Sequence, residues 1–264
     1  MKKMVFLSDT HVGSKYGIMP EEYNIFGENQ IVKASIIQRE LLKKYESVVD
    51  DWKKPDILVL NGDIIDGKAK KDYSSSVWTN SFYDQVGAAV ELIKMFKAKK
   101  IYVIRGTEYH VSIEGEPAEE LLGERLNAVK SKGCYSLMKR YITPKDTSVS
   151  FQVSHSIGTT RSFMYRATAI TREIAMMMLN ASHEHKADVI IRGHAHYAWC
   201  SGSPGHMGFI LPGWQLQTPF MCKISASGAI PDIGALRFEV EKDNFNYEWK
   251  TFKCSGEKPE MEYA

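Results

Sequence analysis

Five times along this chain a short apolar run of strand length ends in carboxylate or imidazole side chains instead of neutral turn residues. "MVFLSDTH" delivers Asp9 and His11, "ILVLNGDIID" delivers Asp63 and Asp66, and "IYVIRGTEYH" delivers Thr107, Glu108 and His110. "FQVSHSIG" then delivers His155, and "VIIRGHAH" delivers His194 and His196. The apolar runs predict strands over Lys3 to Leu7, Ile57 to Leu60, Ile101 to Ile104, Ser148 to Val153 and Asp188 to Ile191. Between them Lys33 to Trp52, Phe82 to Lys97 and about Arg161 to His185 carry helical periodicity. Strands alternating with amphipathic helices are the mark of an α/β domain, in which helices cover the sheets. In open α/β sheets the C-terminal strand ends share one edge, so residues far apart in sequence converge there.

After the last of these motifs the helices stop. Gly208 to Leu211, Ala235 to Val240 and Asn246 to Phe252 are expected to be antiparallel strands joined by Gly and Pro turns. The run Met176-Met177-Met178 is expected to be a packed helix face. Ser14 to Gln30 and Lys68 to Asn80 have the polar composition of long loops. With 264 residues, 44% hydrophobic and 25% charged, the chain suits one domain over residues 1–254, followed by a flexible charged tail, 255–264.

The formal net charge is only +2, from 34 basic and 32 acidic residues, so nucleic acid is neither indicated nor excluded by electrostatics. Cys134, Cys200, Cys222 and Cys254 form no CxxC pair and predict buried free thiols in a reducing compartment. The apolar run Met4 to Leu7 is too short for a signal-peptide core, so a cytoplasmic protein without membrane insertion is expected.

Singly, each Asp or His has an ordinary explanation as a turn cap or a structural histidine. Together they do not, because five of the eight histidines follow apolar strands in company with acidic residues. Mixed carboxylates and imidazoles suit Mn, Fe, Zn or Ni better than Mg or Ca. Asp9 and His11, two apart where the chain leaves a strand, can both reach one ion if the loop curls. His194 and His196 can each serve one of two ions, and Asp63 can bridge a pair at the ~3.5–4 Å separation typical of two-metal hydrolytic sites.

The ordered set Asp9-x-His11, Gly62-Asp63-x-x-Asp66, a strand ending in Gly106 with His110, a lone His155, and Gly193-His194-x-His196 resembles the calcineurin-like metallophosphoesterases. The resemblance runs from Asp9 to His196 with order and spacing kept. It implies a four-layer α/β sandwich, two mixed β-sheets packed face to face and flanked by helices. It also implies a binuclear centre, Mn first among the candidate metals, that hydrolyses phosphate esters with metal-activated water.

Carried over residue by residue, Asp9, His11, Asp63 and His196 would hold one ion, and Asp63, His155, His194 and one more ligand the other. That further ligand is where the chain departs from the family, which usually has Gly-Asn-His where this sequence has Gly106-Thr107-Glu108-Tyr109-His110. Glu108 is the expected substitute because it is an anionic oxygen donor, with Thr107 or water as the alternative. His110 is the expected contact to the scissile phosphate or the leaving oxygen. Asp66 is expected to set loop geometry or orient a ligand histidine, and Arg161 and Arg166 to meet phosphate oxygens.

Tyr16, Tyr23, "SSSVW" and "LPGWQLQTPF" could stack nucleobases or could be ordinary packing residues. The motif order is similar to the DNA-repair exonuclease branch of the family. That favours a nuclease or nucleotide phosphodiesterase acting on DNA or a nucleotide over a phosphomonoesterase, a protein phosphatase or a non-catalytic interaction platform.

Overall fold

The computed structural model of the chain describes residues 1–27, 30–67, 76–113, 116–160, 162–180, 182, 185–203, 205–219 and 230–253. In chain order the first strands are β1 (Lys2–Leu7), β2 (Glu22–Asn24), β3 (Ile31–Lys33), β4 (Ile57–Asn61), β5 (Lys100–Ile104), β6 (Ser112–Ile113), β7 (Glu116–Pro117) and β8 (Ser136–Leu137). They continue with β9 (Lys139–Ile142), β10 (Phe151–Ser154), β11 (Val189–Arg192), β12 (Trp199–Ser203), β13 (His206–Ile210), β14 (Ile233–Glu241) and β15 (Asn244–Phe252). The helices are α1 (Ile36–Trp52), α2 (Phe82–Lys94), α3 (Glu108–Val111), α4 (Ala118–Arg125) and α5 (Arg166–Leu179).

Two mixed sheets result. The first has the order β15-β14-β1-β4-β5-β8, parallel from β1 to β8 and antiparallel at β14 and β15. The second has the order β12-β13-β11-β10-β9, parallel through β13, β11 and β10 and antiparallel at both edges. Side chains of β1 show how the layers form. Met4 and Phe6 enter a core shared with Phe151, Val189 and Phe209 of the second sheet, while Val5 and Leu7 face Leu41, Tyr45 and Val86 of the helices. This two-residue alternation, apolar on both faces, is what a strand between two layers requires. On the outer side of the second sheet Ile170, Ile174 and Met177 of α5 pack on Ile190 and Ile210. Helices, sheet, sheet and helix therefore make the four-layer sandwich that the resemblance implied.

Several boundaries differ from the periodicity, for local reasons. Helix α1 starts at Ile36 because Ser35 forms a capping box with Gln38, and Lys33 is used in a hairpin with Glu22. The segment expected over Gly208 to Leu211 is not part of one antiparallel C-terminal set. As β13 it lies in the second sheet, parallel to β11 and antiparallel to β12. Of the methionine run only Met177 faces the core, while Met176 and Met178 are about half exposed, at 48% and 51%. Arg161, Cys222, Cys254 and the 255–264 tail lie outside the described residues. Among the described residues no helix is long and apolar enough to cross a membrane.

Phe238 sits where the two sheets meet, its ring centroid 5.5 Å from Phe6, 5.1 Å from Phe151 and 5.0 Å from Phe209. Truncating such a ring leaves a cavity that the rigid sheets cannot close. Phe238→Ala is expected to lower unfolding free energy by about 3–5 kcal/mol, read as a reduced urea midpoint with unchanged slope.

Candidate metal centre

The strand ends that carry the Asp and His residues belong to both sheets, and the two rims adjoin. Asp9, His11 and Asp63 follow β1 and β4, whereas His155, His194 and His196 follow β10 and β11. The chain turns sharply at each exit. Asp9, His11, Asp63, His194 and His196 all have φ between 43° and 65°, a left-handed conformation rare outside glycine. Backbone bonds across the rim fix these turns: Asp9 N–H donates to Gly62 O at 3.0 Å, His11 N–H to Asp63 O at 3.1 Å, and Trp214 N–H to Asp9 O at 2.8 Å. Gly62 gives the His155 ring its space, since a Cβ there would lie 2.5 Å from the imidazole.

The side chains converge in two triads of donors whose ligand atoms lie within 4.8 Å of one another: Asp9, His11 and His196; and Asp63, His155 and His194. A third cluster, His11, Asp66 and His110, shares His11 with the first. His196 Nε2 is 3.1 Å from Asp9 Oδ1 and 3.2 Å from His11 Nε2. Asp9 Oδ1 is also 3.9 Å from His11 Nε2 and 3.8 Å from His155 Nε2, so one oxygen faces imidazoles of both triads. His155 Nε2 is 3.0 Å from Asp63 Oδ2, and His194 Nδ1 is 4.0 Å from the same oxygen.

Partners of the other ring nitrogens settle which atoms point inward. His155 Nδ1 lies 2.6 Å from the Asn61 carbonyl, which takes a hydrogen bond from it, and His11 Nδ1 lies 3.0 Å from Asp66 Oδ1. Each Nδ1 therefore carries the proton, and in the neutral ring Nε2 presents a lone pair to the centre. Asp9 Oδ1 and His155 Nε2 are buried without a hydrogen-bond partner. Buried acceptors gathered with no hydrogen between them need a cation or a proton. The donor set, carboxylate oxygens with imidazole nitrogens, fits a divalent transition ion.

Charge follows the same geometry. Burial pushes the Asp9 carboxyl up, but His196 and His155 hold it down at about 2. Burial likewise opposes ionisation of Asp63, yet His155 and His194 keep it well below the usual carboxylate range. Burial pulls the His155 imidazole down, but Asp9 and Asp63 together carry it up to about 10. His110 moves the other way, lowered by its burial and by the neighbouring His11.

The remaining predicted residues take distinct places. Asp66 pairs with His11 and accepts from Gln215 Nε2 at 3.3 Å. His110 packs its ring edge-on against His11, centroids 4.7 Å apart, and lies 2.7 Å by Nδ1 from the Asp66 carbonyl. Glu108 is an exposed residue opening α3, outside the three donor clusters. Thr107 donates its N–H and its hydroxyl to Asp63 Oδ1, at 2.7 and 3.0 Å. Arg166 stands 3.7 Å from Asp232 and lies over the Tyr197 ring. Of the aromatics weighed as stacking platforms, Trp214 is fully buried against Tyr45, and Tyr23 packs on Trp78.

Residues that the motifs did not flag complete the frame. Ser8 Oγ lies 2.5 Å from Asp9 Oδ2 and 2.8 Å from the Asn61 carbonyl, and His194 N–H donates to Asp9 Oδ2 at 3.0 Å. Ser8 and Asn61 adjoin flagged residues in sequence, a signal that could have found them. Gln215 lies in "LPGWQLQTPF", a stretch that points to base stacking and not to the metal centre.

No family model matches the sequence, and no curated protein matches it. Solved structures similar to the chain include a novel archaeal phosphodiesterase, 11% identical with a TM-score of 0.46 over 94% of this chain and 99% of that one. Vps29 of Entamoeba histolytica, complexed with zinc, is 11% identical with a TM-score of 0.44, over 95% of this chain and 99% of that one. A predicted phosphoesterase of Streptococcus pneumoniae is 13% identical with a TM-score of 0.42, over 95% of this chain and 89% of that one.

Two outcomes follow for the metal-free protein. Because the His155 imidazole is carried up to about 10 by the two carboxylates, a cation entering at neutral pH displaces its proton. Mn²⁺ calorimetry in buffers of different ionisation enthalpy is expected to report release of about one proton, with apparent affinity rising as pH rises toward that value. Asp66→Ala removes the partner of His11 Nδ1 and is expected to weaken Mn²⁺ binding by about 10–100-fold, measured by the same titration.

Proposed function

We propose that the chain is a phosphoesterase working with two divalent ions, Mn first among them, on phosphodiesters of the nucleotide or DNA type. The observation that supports this reading is the pair of donor triads, each made of one carboxylate and two imidazoles, meeting where the two sheets adjoin. Asp9, His11 and His196 would hold one ion and His155 and His194 the other, with Asp63 shared. Thr107 already uses its hydroxyl on Asp63. Glu108, the anionic oxygen donor of that loop, is proposed for the second ion from its exposed position outside the donor clusters, a role that unchanged metal content in Glu108→Ala would remove.

When bound, two such ions supply positive charge to phosphoryl oxygens and acidity to water. The chain's own groups supply orientation and proton transfer. Asp66 holds the His11 ring so that Nε2 points inward. His110 donates its Nδ1–H to the Asp66 carbonyl, and burial and the neighbouring His11 lower its basicity. Its Nε2 lone pair can take a proton during attack and return it to the leaving oxygen. Arg161 and Arg166 are proposed to meet phosphoryl oxygens, where a guanidinium fork fits best. Unchanged kcat/KM in Arg166→Ala would withdraw that role.

The deciding assay compares bis-p-nitrophenyl phosphate with p-nitrophenyl phosphate on Mn-loaded protein. Faster diester turnover is expected, and faster monoester turnover makes the chain a phosphomonoesterase instead. His110→Ala is expected to lower kcat by about 10²–10⁴-fold with metal content retained. Fewer than one ion per chain after loading, together with no turnover of either ester, would turn the reading to a non-catalytic interaction platform.

A further inference from the structure

One buried carboxylate near this centre has no part in the chemistry above. Glu119, the second residue of α4, is completely inaccessible to solvent. Its Oε2 accepts the Gly106 N–H at 2.7 Å; Oε1 has no partner in hydrogen-bond geometry, and the Ile64 amide faces the carboxyl. Burial, reinforced by the charge of Asp63, pushes its carboxyl up to about 8, against the opposing pull of the Gly106 and Ile64 amides and of His155. As a stability device this is poor, because a buried carboxyl with one of its two oxygens unsatisfied costs more than a packed apolar side chain.

Its contacts lead to Asp63 instead. Gly106 lies between two carboxylates: a Cβ on it would fall 2.2 Å from Asp63 Oδ1 and 2.3 Å from Asp63 N. Consecutive amides then serve opposite sides. Gly106 N–H goes to Glu119 and Thr107 N–H to Asp63 Oδ1, while the Thr107 hydroxyl lies 3.0 Å from Asp63 Oδ1 and 3.2 Å from Oδ2. The carboxylate is held by both groups, and Oδ2 faces His155 Nε2 at 3.0 Å.

We infer that Glu119 is a positioning residue for the Asp63, His155 and His194 half of the centre, acting by anchoring the Gly106 amide so that Thr107 fixes the Asp63 carboxylate. This rests on the two-ion reading and adds a residue from a helix that carries none of the metal-ligand motifs. The loop after β5 thereby becomes a support for Asp63, set by α4, and the triad of Asp9, His11 and His196 depends on it only through the shared Asp63.

The test is Mn²⁺ titration by calorimetry into metal-stripped full-length protein. Wild type is expected to bind two ions. Glu119→Ala is expected to weaken the site of Asp63, His155 and His194 at least about tenfold and the site of Asp9, His11 and His196, which it reaches only through the shared Asp63, by less. Adding Glu119→Ala to His155→Ala, which lacks the second site, is expected to change the remaining site no more than Glu119→Ala does alone. Glu119→Gln keeps an acceptor for the Gly106 amide and is expected to bind within about threefold of wild type.

Both sites unchanged in Glu119→Ala, or both weakened equally, would overturn the inference, as would a glutamine variant as impaired as the alanine one. If the alanine variant does not fold, Glu119→Asp, one methylene too short to reach the amide, carries the same expectation and the same refutation. A wild-type protein that binds fewer than two ions sinks the two-ion reading itself, an outcome separate from two intact sites in the variant.

Discussion

Two carboxylates buried among imidazoles hold this structure's functional end together. Asp9 is fully inaccessible and Asp63 nearly so, and taking such groups out of water is costly unless opposite charge or donors meet them. Those partners come from the other sheet: His155, His194 and His196 all follow β10 and β11, while both carboxylates follow β1 and β4. The electrostatic need of one rim is thus met only if the two sheets pack at the right separation. Phe6, Phe151, Phe209 and Phe238 set that separation in the core beneath. Core and centre are therefore parts of one arrangement.

Backbone strain concentrates at the same rim. Of the six residues in the two triads, five adopt a left-handed conformation without being glycine. Each such residue costs on the order of 1–3 kcal/mol and persists only where its surroundings over-determine it. Here they do so by exchange between loops. The amides of Asp9 and His11 go to the loop after β4, the carbonyl of Asp9 takes Trp214, and the carbonyl of His196 takes Asp232. A chain leaving a strand in this way curls back at once, which lets Asp9 and His11, only two residues apart, face a common point.

The parts legible in the sequence were those written as short-range pattern. Apolar runs marked eight of the eleven strands of the two sheets, all but β8, β9 and β12, and the carboxylates and imidazoles just past five of them converge because a strand end fixes where its next residues go. Relations between distant segments were not legible. Nothing in "RGTEYH" says that Thr107 donates to Asp63, because that bond depends on how β5 registers beside β4. Helix α4, with Gly123 in the middle of "AEELLGER", carries little periodic signal, so nothing in the sequence marks its Glu119 as buried. The segment at β13 read as antiparallel because local alternation cannot tell which sheet a strand joins.

The two triads differ in their access to water, and that difference orients the site. Asp9, His11 and His196 have side chains at most 9% exposed, so the first triad is enclosed on all sides by protein. In the second, Asp63 and His155 are equally enclosed, but the His194 side chain is 38% exposed. His110, leaning on His11, is 20% exposed. Of the two triads, the second is the one that solvent reaches, through His194, and the enclosed carboxylates lie behind it. That asymmetry is produced by where the strand ends stop and not by the identity of the donors, since each triad has one carboxylate and two imidazoles.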